Sequence, residues 1–277
     1  MNTAYATVVD NRRLYANTYL TWFRSQELVN GAYPGQFLML RCADEGSADN
    51  TQPAVALSAS SDPLLPRPMS YHRIRIAGDG ATEWSILYDV VGRGTAWLAA
   101  RQAGDRVYAW GPLGNGYKVG RESNNLLLVA GGIGIAPLVW LAEEQVARGR
   151  SVTLIIGARD ADHVFPITSL PSEVEVVVCT DDGSAGRKAF ATEPFAELVE
   201  WCDQAFACGP TPMFRTMAEV ARRANIRRSV QVLLEERMGC GTGICYGCAI
   251  QVRSRGATQM KLICKDGPRV EVRDVVW

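Results

Sequence analysis

The 277-residue chain lacks an excess of charge of either sign, because 29 Lys and Arg residues balance 29 Asp and Glu residues. This balance gives no support for binding to nucleic acid or to an acidic membrane surface. No uninterrupted apolar run approaches the roughly 20 residues that span a bilayer, and the N-terminal segment lacks the apolar stretch of a signal peptide. We therefore expect a cytoplasmic protein with neither a nucleic-acid partner nor a membrane partner.

Histidine is also scarce, since His72 and His163 are the only two in the chain. No Ser/His/Asp or Cys/His constellation can be argued from these residues. The sequence therefore gives no basis for hydrolytic catalysis, and no catalytic residue is assigned.

The hydrophobic pattern changes twice along the chain. Residues 1–120 contain short strands separated by turn signals, which is typical of an antiparallel barrel. Residues 121–228 alternate buried strands with helices, which predicts a doubly wound parallel sheet. Residues 229–277 hold a glycine- and cysteine-rich loop between strand-like segments. We predict a multidomain α+β fold with an N-terminal antiparallel β-barrel, a central α/β nucleotide-binding domain and a small C-terminal domain.

Four of the eight cysteines crowd the C-terminal region with the spacing C-x4-C-x2-C-x15-C. They are Cys240, Cys245, Cys248 and Cys264. This spacing is typical of a plant-type [2Fe–2S] cluster, whose two irons take four thiolates. The interleaved glycines permit the loop to wrap closely around a cluster and to offer N–H groups to its sulfides. A structural zinc ion and a set of free thiols are the alternatives.

A glycine-rich turn at residues 131–137, GGIGIAP, joins a strand to a helix. Such a turn places N–H groups where a pyrophosphate can bind, although a tight turn without a ligand is the alternative. Asp181 and Asp182 follow a later strand, where carboxylates can bind ribose hydroxyls, and a solvated turn explains them equally well. Cys208 has no basic neighbour in the sequence that would activate its thiol, which favours a packed residue.

Two segments of the predicted barrel suit an anionic ligand. Arg67 and Ser70 lie close together on an extended segment, and Arg is suited to clamp a phosphate. Residues 92–95, GRGT, precede a short predicted helix and offer a second anion-binding turn. Each motif is common by chance, but their occurrence together ahead of a nucleotide-type domain strengthens both interpretations.

With these motifs in order, the chain resembles the ferredoxin–NADP reductase superfamily. Within it, the chain is most similar to the electron-transfer subunits of the two-subunit, NAD-dependent bacterial dihydroorotate dehydrogenases. The resemblance covers nearly the whole chain and rests on seven segments. They are RPMS (67–70), VVGRGT (90–95), GPLGNGY (111–117), GGIGIAPL (131–138), TDDGSAG (180–186), ERMGCGTGICYGC (236–248) and CKDGP (264–268).

The resemblance implies roles for these residues and for the three domains, which would bind FAD (1–120), NAD (121–228) and the cluster (229–277). Binding of FAD would fall to Arg67, Pro68, Met69 and Ser70, and binding of its pyrophosphate to Gly92, Gly94 and Thr95. Binding of NAD(H) would fall to Gly132 and Gly134 at the pyrophosphate, Asp181 and Asp182 near the ribose, and Cys208 and Gly209 beside the nicotinamide. The GPLGNGY segment would lie where flavin and nicotinamide meet, and the four crowded cysteines would ligate the [2Fe–2S] cluster.

The sequence departs from the family pattern at a few positions. Met69 stands where many superfamily members have Tyr, which removes an aromatic ring from that side of the flavin. Arg187 and Lys188 make the stretch after TDDGSAG basic, and basic residues favour the 2′-phosphate of NADPH. The sequence therefore leaves the choice between NADH and NADPH open.

The resemblance implies an electron relay between NAD(H), FAD, the cluster and a partner protein. The implied partner is an FMN-containing dihydroorotate dehydrogenase catalytic subunit of pyrimidine biosynthesis, in a heterotetramer with two subunits of each kind. One alternative is a reductase subunit of a sulfhydrogenase or of a ferredoxin–NADP transhydrogenase. An alternative of another class is a zinc-containing, nucleotide-binding regulatory protein.

Overall fold

The computed structural model describes residues 1–43, 63–254 and 256–277. They form an antiparallel half-barrel sheet, an α/β sheet and a C-terminal hairpin beside the cysteine loop. The predicted mixed α+β fold class is therefore confirmed. Within these ranges, no helix combines the length and apolar character needed to cross a membrane.

The first sheet has seven antiparallel strands in the order β4-β3-β7-β1-β2-β6-β5. Their bounds are β1 (Asn2–Tyr15), β2 (Thr18–Arg24), β3 (Phe37–Leu40), β4 (Arg67–Ser70), β5 (Arg73–Ile76), β6 (Thr82–Asp89) and β7 (Arg106–Leu113). Alternate residues of β7 are buried, as expected when one face of a strand meets a core. On that core side, the rings of Phe23 and Trp84 stack with centroids 4.5 Å apart.

The second sheet is parallel over six of its strands. These are β8 (Asn125–Gly131), β9 (Ser151–Ala158), β10 (Val174–Thr180), β11 (Arg187–Lys188), β12 (Gln204–Cys208) and β13 (Val230–Leu233). Their spatial order is β11-β10-β9-β8-β12-β13, so the order reverses between β8 and β12. Open α/β sheets bind ligands at the carboxyl ends of the strands at such a switch point.

Four α-helices accompany these strands in the described part of the chain. They are α1 (Arg93–Ala99), α2 (Ile135–Ala147), α3 (Thr192–Leu198) and α4 (Thr211–Arg223). In α4, Met213, Met217 and Ala221 are buried at four-residue spacing, which gives the helix one apolar face toward the sheet. Helix α1 begins at Arg93, inside the GRGT segment that was expected to precede it, because the backbone of Gly92 is still extended.

The C-terminal region divides between two sheets. The strands β14 (Ala249–Ser254) and β15 (Ala257–Leu262) pair with each other as a hairpin, whereas β16 (Arg269–Glu271) pairs antiparallel with β13 and completes the α/β sheet. Two strands that follow residue 228 thus belong to the central sheet. The division into 1–120, 121–228 and 229–277 stays a prediction.

Candidate functional site

A cavity of about 380 Å³ lies at the switch point, and we call it the switch-point cleft. Gly131 and Gly132 line it from the end of β8, and Pro210 lines it from the turn after β12. Gly132 has φ of +54°, and no atom lies within 4 Å of the position that a Cβ would take. A ligand can therefore approach the backbone of Gly132 closely.

The other predicted glycine of this turn, Gly134, lies against the backbone at the end of β12. A side chain at Gly134 would collide with the carbonyl of Cys208, and one at Gly209 would lie 2.6 Å from the Cε of Met213. Both glycines let the turns after β8 and β12 pack against each other. The structure thus places Gly132 at the open side of the cleft and Gly134 and Gly209 where the two turns pack together, and their roles toward NAD(H) stay predictions.

The two adjacent aspartates after β10 point to different surroundings. Asp181 lines the switch-point cleft. The carboxylate of Asp182 accepts hydrogen bonds from the hydroxyl of Ser184 at 2.6 Å and from its N–H at 2.9 Å, and these bonds lower the pKa of Asp182. Of the two predicted ribose ligands, Asp181 is therefore the one that lines this cleft.

A second and larger cavity, of about 510 Å³, opens between the two seven-stranded sheets, and we call it the inter-sheet cleft. Its size is within the range of clefts that bind small ligands. From the barrel side it is lined by Pro68, Met69, Ser70 and Thr95. From the α/β side it is lined by Ile133, Ala136, Pro137 and Cys208. The structure thus brings together residues that belong to four separate sequence motifs.

The remaining predicted residues of the barrel support the barrel side of the inter-sheet cleft. The Thr95 hydroxyl accepts hydrogen bonds from the N–H groups of Val91 and Gly92 at 2.9 and 3.2 Å. A Cβ at Gly94 would lie 2.6 Å from Nε of Arg67, so the absence of a side chain lets the guanidinium rest against the start of α1. Arg67 and the turn at 92–94 are therefore adjacent, as a joint anion site requires.

Glu235 is a cleft residue that the sequence analysis missed. It projects into the inter-sheet cleft, where surrounding protein atoms raise the pKa of its carboxyl. The thiol of Cys208 donates to its Oε1 across 3.9 Å. Burial raises the pKa of Cys208, and the carboxylate of Glu235 raises it further, so the thiol stays protonated. The one available signal was the pair of acidic residues that directly follows an apolar strand.

The cysteine loop starts and ends at the same cleft. Met238 lines the cleft just before Cys240, and Pro268 lines it just after Cys264. The sulfurs of Cys248 and Cys264 lie 3.3 Å apart without a covalent bond, and all four cysteines are free thiols. Cys248 and Cys264 are buried, whereas Cys245 is exposed.

Backbone N–H groups of the loop point at the cysteine sulfurs. Thr242 donates its N–H to Cys240 Sγ at 3.4 Å, and Cys264 donates its N–H to Cys248 Sγ at 3.4 Å. Burial raises the pKa of Cys240, but amide donors that include Cys245 and Thr242 outweigh it and lower the pKa to about 6. These donors favour the thiolate at Cys240, the form that ligates iron, whereas burial and the neighbouring Cys248 raise the pKa of Cys264 to about 12.

The four cysteines do not converge on one point. In residues 1–43, 63–254 and 256–277, no group of three or more His, Cys, Asp or Glu side chains is placed to hold one metal ion. A structural zinc site gathers four ligands around a single ion. A [2Fe–2S] cluster divides its four protein ligands between two irons, and amide N–H groups that point at cysteine sulfurs suit such a cluster.

The GPLGNGY segment braces the cysteine loop. Asn115 donates its side-chain amide to the Lys265 carbonyl at 3.0 Å and its N–H to the Gly267 carbonyl at 2.5 Å. Trp110, just before the segment, donates its indole N–H to the Cys240 carbonyl at 3.3 Å. The segment therefore holds the cysteine loop in place. Its predicted position where flavin and nicotinamide meet stays a prediction.

Comparison with known proteins agrees with this arrangement. Residues 235–276 match the family model described as the iron-sulfur cluster binding domain of dihydroorotate dehydrogenase B. The chain is 36% identical to the dihydroorotate dehydrogenase B (NAD(+)) electron transfer subunit of Desulforamulus reducens, over 94% of this chain and 93% of that one. It is 34% identical to the protein of the same name from Caldanaerobacter subterraneus subsp. tengcongensis, over 98% of both chains.

The chain belongs to the family of dihydroorotate dehydrogenase B electron transfer subunits. The resemblance drawn from the motifs is thereby confirmed. The match of residues 235–276 to an iron–sulfur domain also sets aside the zinc alternative.

Solved structures show the same architecture. A chain of the NADH-dependent reduced ferredoxin–NADP oxidoreductase superposes with a TM-score of 0.79 at 28% identity, over 100% of this chain and 91% of that one. Phthalate dioxygenase reductase superposes with a TM-score of 0.60 at 16% identity, over 95% and 94% of the two chains, and it shows the fold alone.

Proposed function

We propose that this chain transfers electrons between NAD(H) and a catalytic subunit that acts on dihydroorotate, with FAD and a [2Fe–2S] cluster as its cofactors. One observation carries the proposal. The two clefts share the turn after β12, since Cys208 lines the inter-sheet cleft and Pro210 lines the switch-point cleft. The cysteine loop leaves the inter-sheet cleft at Met238 and returns to it at Pro268. This order supports a path from a nucleotide site through a flavin site to a cluster site.

Each group has its own set of proposed ligands. When bound, FAD exchanges a hydride with NAD(H) and the cluster carries single electrons. Arg67, Gly92, Gly94 and Thr95 would hold the FAD pyrophosphate, and Pro68, Met69 and Ser70 would line its ring. Gly132 and Gly134 would hold the NAD(H) pyrophosphate, Asp181 and Asp182 would lie near its ribose, and Cys208 and Gly209 near its nicotinamide. Cys240, Cys245, Cys248 and Cys264 would ligate the cluster.

The tip of the cysteine loop is the proposed contact with the partner. Ile244 and Tyr246 flank Cys245 with 79% and 68% of their surfaces exposed. Exposed apolar side chains beside an exposed ligand suit an interface, because an electron exit must approach its acceptor. We propose that the partner holds FMN and that a cytoplasmic complex contains two copies of each subunit. The relatives' name, electron transfer subunit, supports a partner.

An anaerobic visible spectrum of the purified chain tests the proposal. We expect flavin bands near 450 nm together with broader iron–sulfur bands, and both should bleach on addition of NADH. A colourless protein that contains zinc would refute the flavin and cluster assignments together. Flavin bands alone call for reconstitution with iron and sulfide, after which continued absence of the cluster bands would refute the cluster.

The fold similarity at a TM-score of 0.79 favours one second candidate, a reductase subunit in a complex like the NADH-dependent reduced ferredoxin–NADP oxidoreductase. Co-expression with each candidate partner distinguishes the two. Stable association with a dihydroorotate-oxidising subunit, together with NAD+-dependent dihydroorotate oxidation by the complex, supports the first function. Association with a ferredoxin-linked partner alone supports the second.

A further inference from the structure

His72 is fully buried between the antiparallel sheet and helix α2. Its Nδ1 lies 2.8 Å from the carbonyl oxygen of Ala136, in the first turn of α2. Its Nε2 lies 3.2 Å from Nη1 of Arg73. The ring of Phe165 packs edge-on against the imidazole, with centroids 5.9 Å apart. Both ring nitrogens therefore have a polar partner in a site closed to solvent.

These partners define the protonation state of His72. A carbonyl oxygen only accepts a hydrogen bond and a guanidinium only donates one, so Nδ1 carries the proton and Nε2 is the acceptor. Burial, followed by the charge of Arg73, lowers the pKa of His72 to about 3. The neutral ring therefore links α2 to the sheet throughout the physiological pH range.

The position of His72 connects the two walls of the inter-sheet cleft. Ser70 lies two residues before His72, and Pro137 directly follows Ala136, and all three of Ser70, Ala136 and Pro137 line that cleft. A single side chain thus spans from the β4 wall to the wall at the start of α2.

Neighbouring contacts leave this link little freedom. Arg73 forms an ion pair with Glu143 of α2 at 2.7 Å and donates to the carbonyl of Ser169 at 2.8 Å. The ring of Tyr71 meets Trp140 of α2 edge-on at 6.2 Å. Residues 71–73 therefore dock onto α2 as a unit, and His72 is the member that binds the backbone of the turn itself.

We propose that His72 is a positioning residue that sets the distance between the flavin-binding strand β4 and the nucleotide-binding turn at the start of α2. This inference rests on the proposed function. Hydride transfer requires the reacting atoms to approach within about 3 to 3.5 Å, and a displacement of about 1 Å can lower the rate 100-fold. His72 touches neither proposed cofactor, so its effect operates through the backbone of Ala136.

A pair of variants of the full-length, FAD-loaded protein tests the inference. His72→Leu removes the donor to Ala136, whereas His72→Asn places an amide N–H where Nδ1 was. We expect His72→Leu to slow anaerobic flavin reduction at saturating NADH by about 10-fold or more. Its FAD content should stay unchanged, and His72→Asn should restore the rate to within about 3-fold of wild type. Phe165→Leu, which removes packing but not the hydrogen bond, is the control and should reduce at the wild-type rate.

The outcomes separate the inference from the proposed function. A wild-type chain that binds no FAD or is not reduced by NADH refutes the proposed function. A wild-type chain that is reduced normally, with His72→Leu equally fast, refutes only the role of His72. An equal slowing by Phe165→Leu also refutes it, because packing would then explain the effect. If His72→Leu does not fold, His72→Gln replaces it, since its amide reaches the Nε2 position and leaves Ala136 without a donor.

Discussion

Arg187 and Glu197 form a doubly hydrogen-bonded ion pair, with Nη1–Oε2 and Nη2–Oε1 distances of 2.9 and 2.7 Å. The pair engages Arg187, which is one of the two basic residues, with Lys188, that the sequence suggested as ligands for the 2′-phosphate of NADPH. Asp181, by contrast, lines the switch-point cleft. Arg187 is already paired with Glu197, and a carboxylate at Asp181 would repel the 2′-phosphate of NADPH. We therefore expect NADH to be the preferred nucleotide.

Asp181 is expected to carry most of this preference. Asp181→Asn removes the charge that would repel a 2′-phosphate while it keeps a group that can bind a ribose hydroxyl. We expect the ratio of kcat/KM for NADPH to that for NADH to rise about 10-fold, because a like-charge contact is strongly unfavourable. Steady-state reduction of a dye by each nucleotide measures the ratio. Asp182→Asn is the matched control, since Asp182 binds Ser184, and an equal rise there would contradict the assignment.

Breaking the ion pair between Arg187 and Glu197 should also raise the NADPH-to-NADH ratio of kcat/KM, but by a smaller factor. Glu197→Gln removes the charge that holds the guanidinium, and an exposed pair of this kind contributes at most about 1 kcal/mol. We therefore expect the NADPH-to-NADH ratio to rise by about 2- to 5-fold, measured with the same assay. Double replacement by Glu197→Gln and Arg187→Gln should return the ratio to the wild-type value. A rise that persists in the double variant would exclude Arg187 as its cause.

Single substitutions should distinguish the proposed cluster ligands from cysteines that are packed in the core. Cys245→Ser removes an exposed proposed ligand, and we expect loss of the iron–sulfur absorbance with retention of FAD. Flavin reduction by NADH should continue, whereas electron transfer to the partner should fall by about 100-fold or more. Cys202→Ala is the control, because Cys202 lies in the apolar core, and it should keep the cluster. Full cluster absorbance in Cys245→Ser would exclude Cys245 as a ligand.

The parts of the site that the sequence predicted are those encoded by short segments. Such segments predict a binding site even when the tertiary structure is unknown. Examples are the four cysteines at fixed spacing and the glycine-rich turn between a strand and a helix. Glu235 meets Cys208 only because β12 and β13 are neighbours in the sheet, and His72 meets Ala136 only because the two sheets pack together. Such contacts depend on the order of strands and the docking of sheets, which no local pattern encodes.

The ionised carboxyl of Glu235 should destabilise the folded protein, although we expect the same group to assist flavin reduction in the inter-sheet cleft. Its pKa is raised in the folded protein, so its stabilising effect is complete below the unfolded pKa and is lost as the pH rises through the folded pKa. Glu235 is nevertheless an exposed residue, so solvent weakens this effect at pH 7. Glu235→Gln should therefore raise the melting temperature at pH 7 slightly and lower the rate of flavin reduction by NADH by about 10-fold. Thermal melts and stopped-flow reduction measure the two effects.

The matched control for Glu235→Gln is Glu236→Gln, which changes the next carboxylate along the chain. We expect Glu236→Gln to leave the rate of flavin reduction within about 2-fold of wild type, because surface charge changes usually have small effects. A Glu235→Gln variant that is less stable than wild type at pH 7 would contradict the raised pKa. An unchanged rate in the same variant would show that Glu235 does not serve the nucleotide reaction.

The buried His72 should make stability sensitive to mild acid. Below pH 6.5 the unfolded chain binds a proton at this residue, whereas the folded chain, with a pKa of about 3, does not. Its contribution to the free energy of unfolding is therefore constant above pH 6.5 and falls by about 1.4 kcal/mol per pH unit between pH 6.5 and about 3. The charged groups beside it are Arg73, whose guanidinium lies next to Nε2, and Glu143, which pairs with Arg73.

Urea unfolding of wild type and His72→Asn at pH 7 and pH 5 tests this expectation. The asparagine does not titrate, so any advantage of wild type over the variant should shrink by about 2 kcal/mol between the two pH values. His163→Asn provides the comparison for a histidine that is partly exposed and paired with Asp160. If the difference between wild type and His72→Asn is the same at both pH values, the buried imidazole accepts a proton in the folded state. The hydrogen bond from Nδ1 to Ala136 could then persist, but the acceptor role of Nε2 toward Arg73 would be lost.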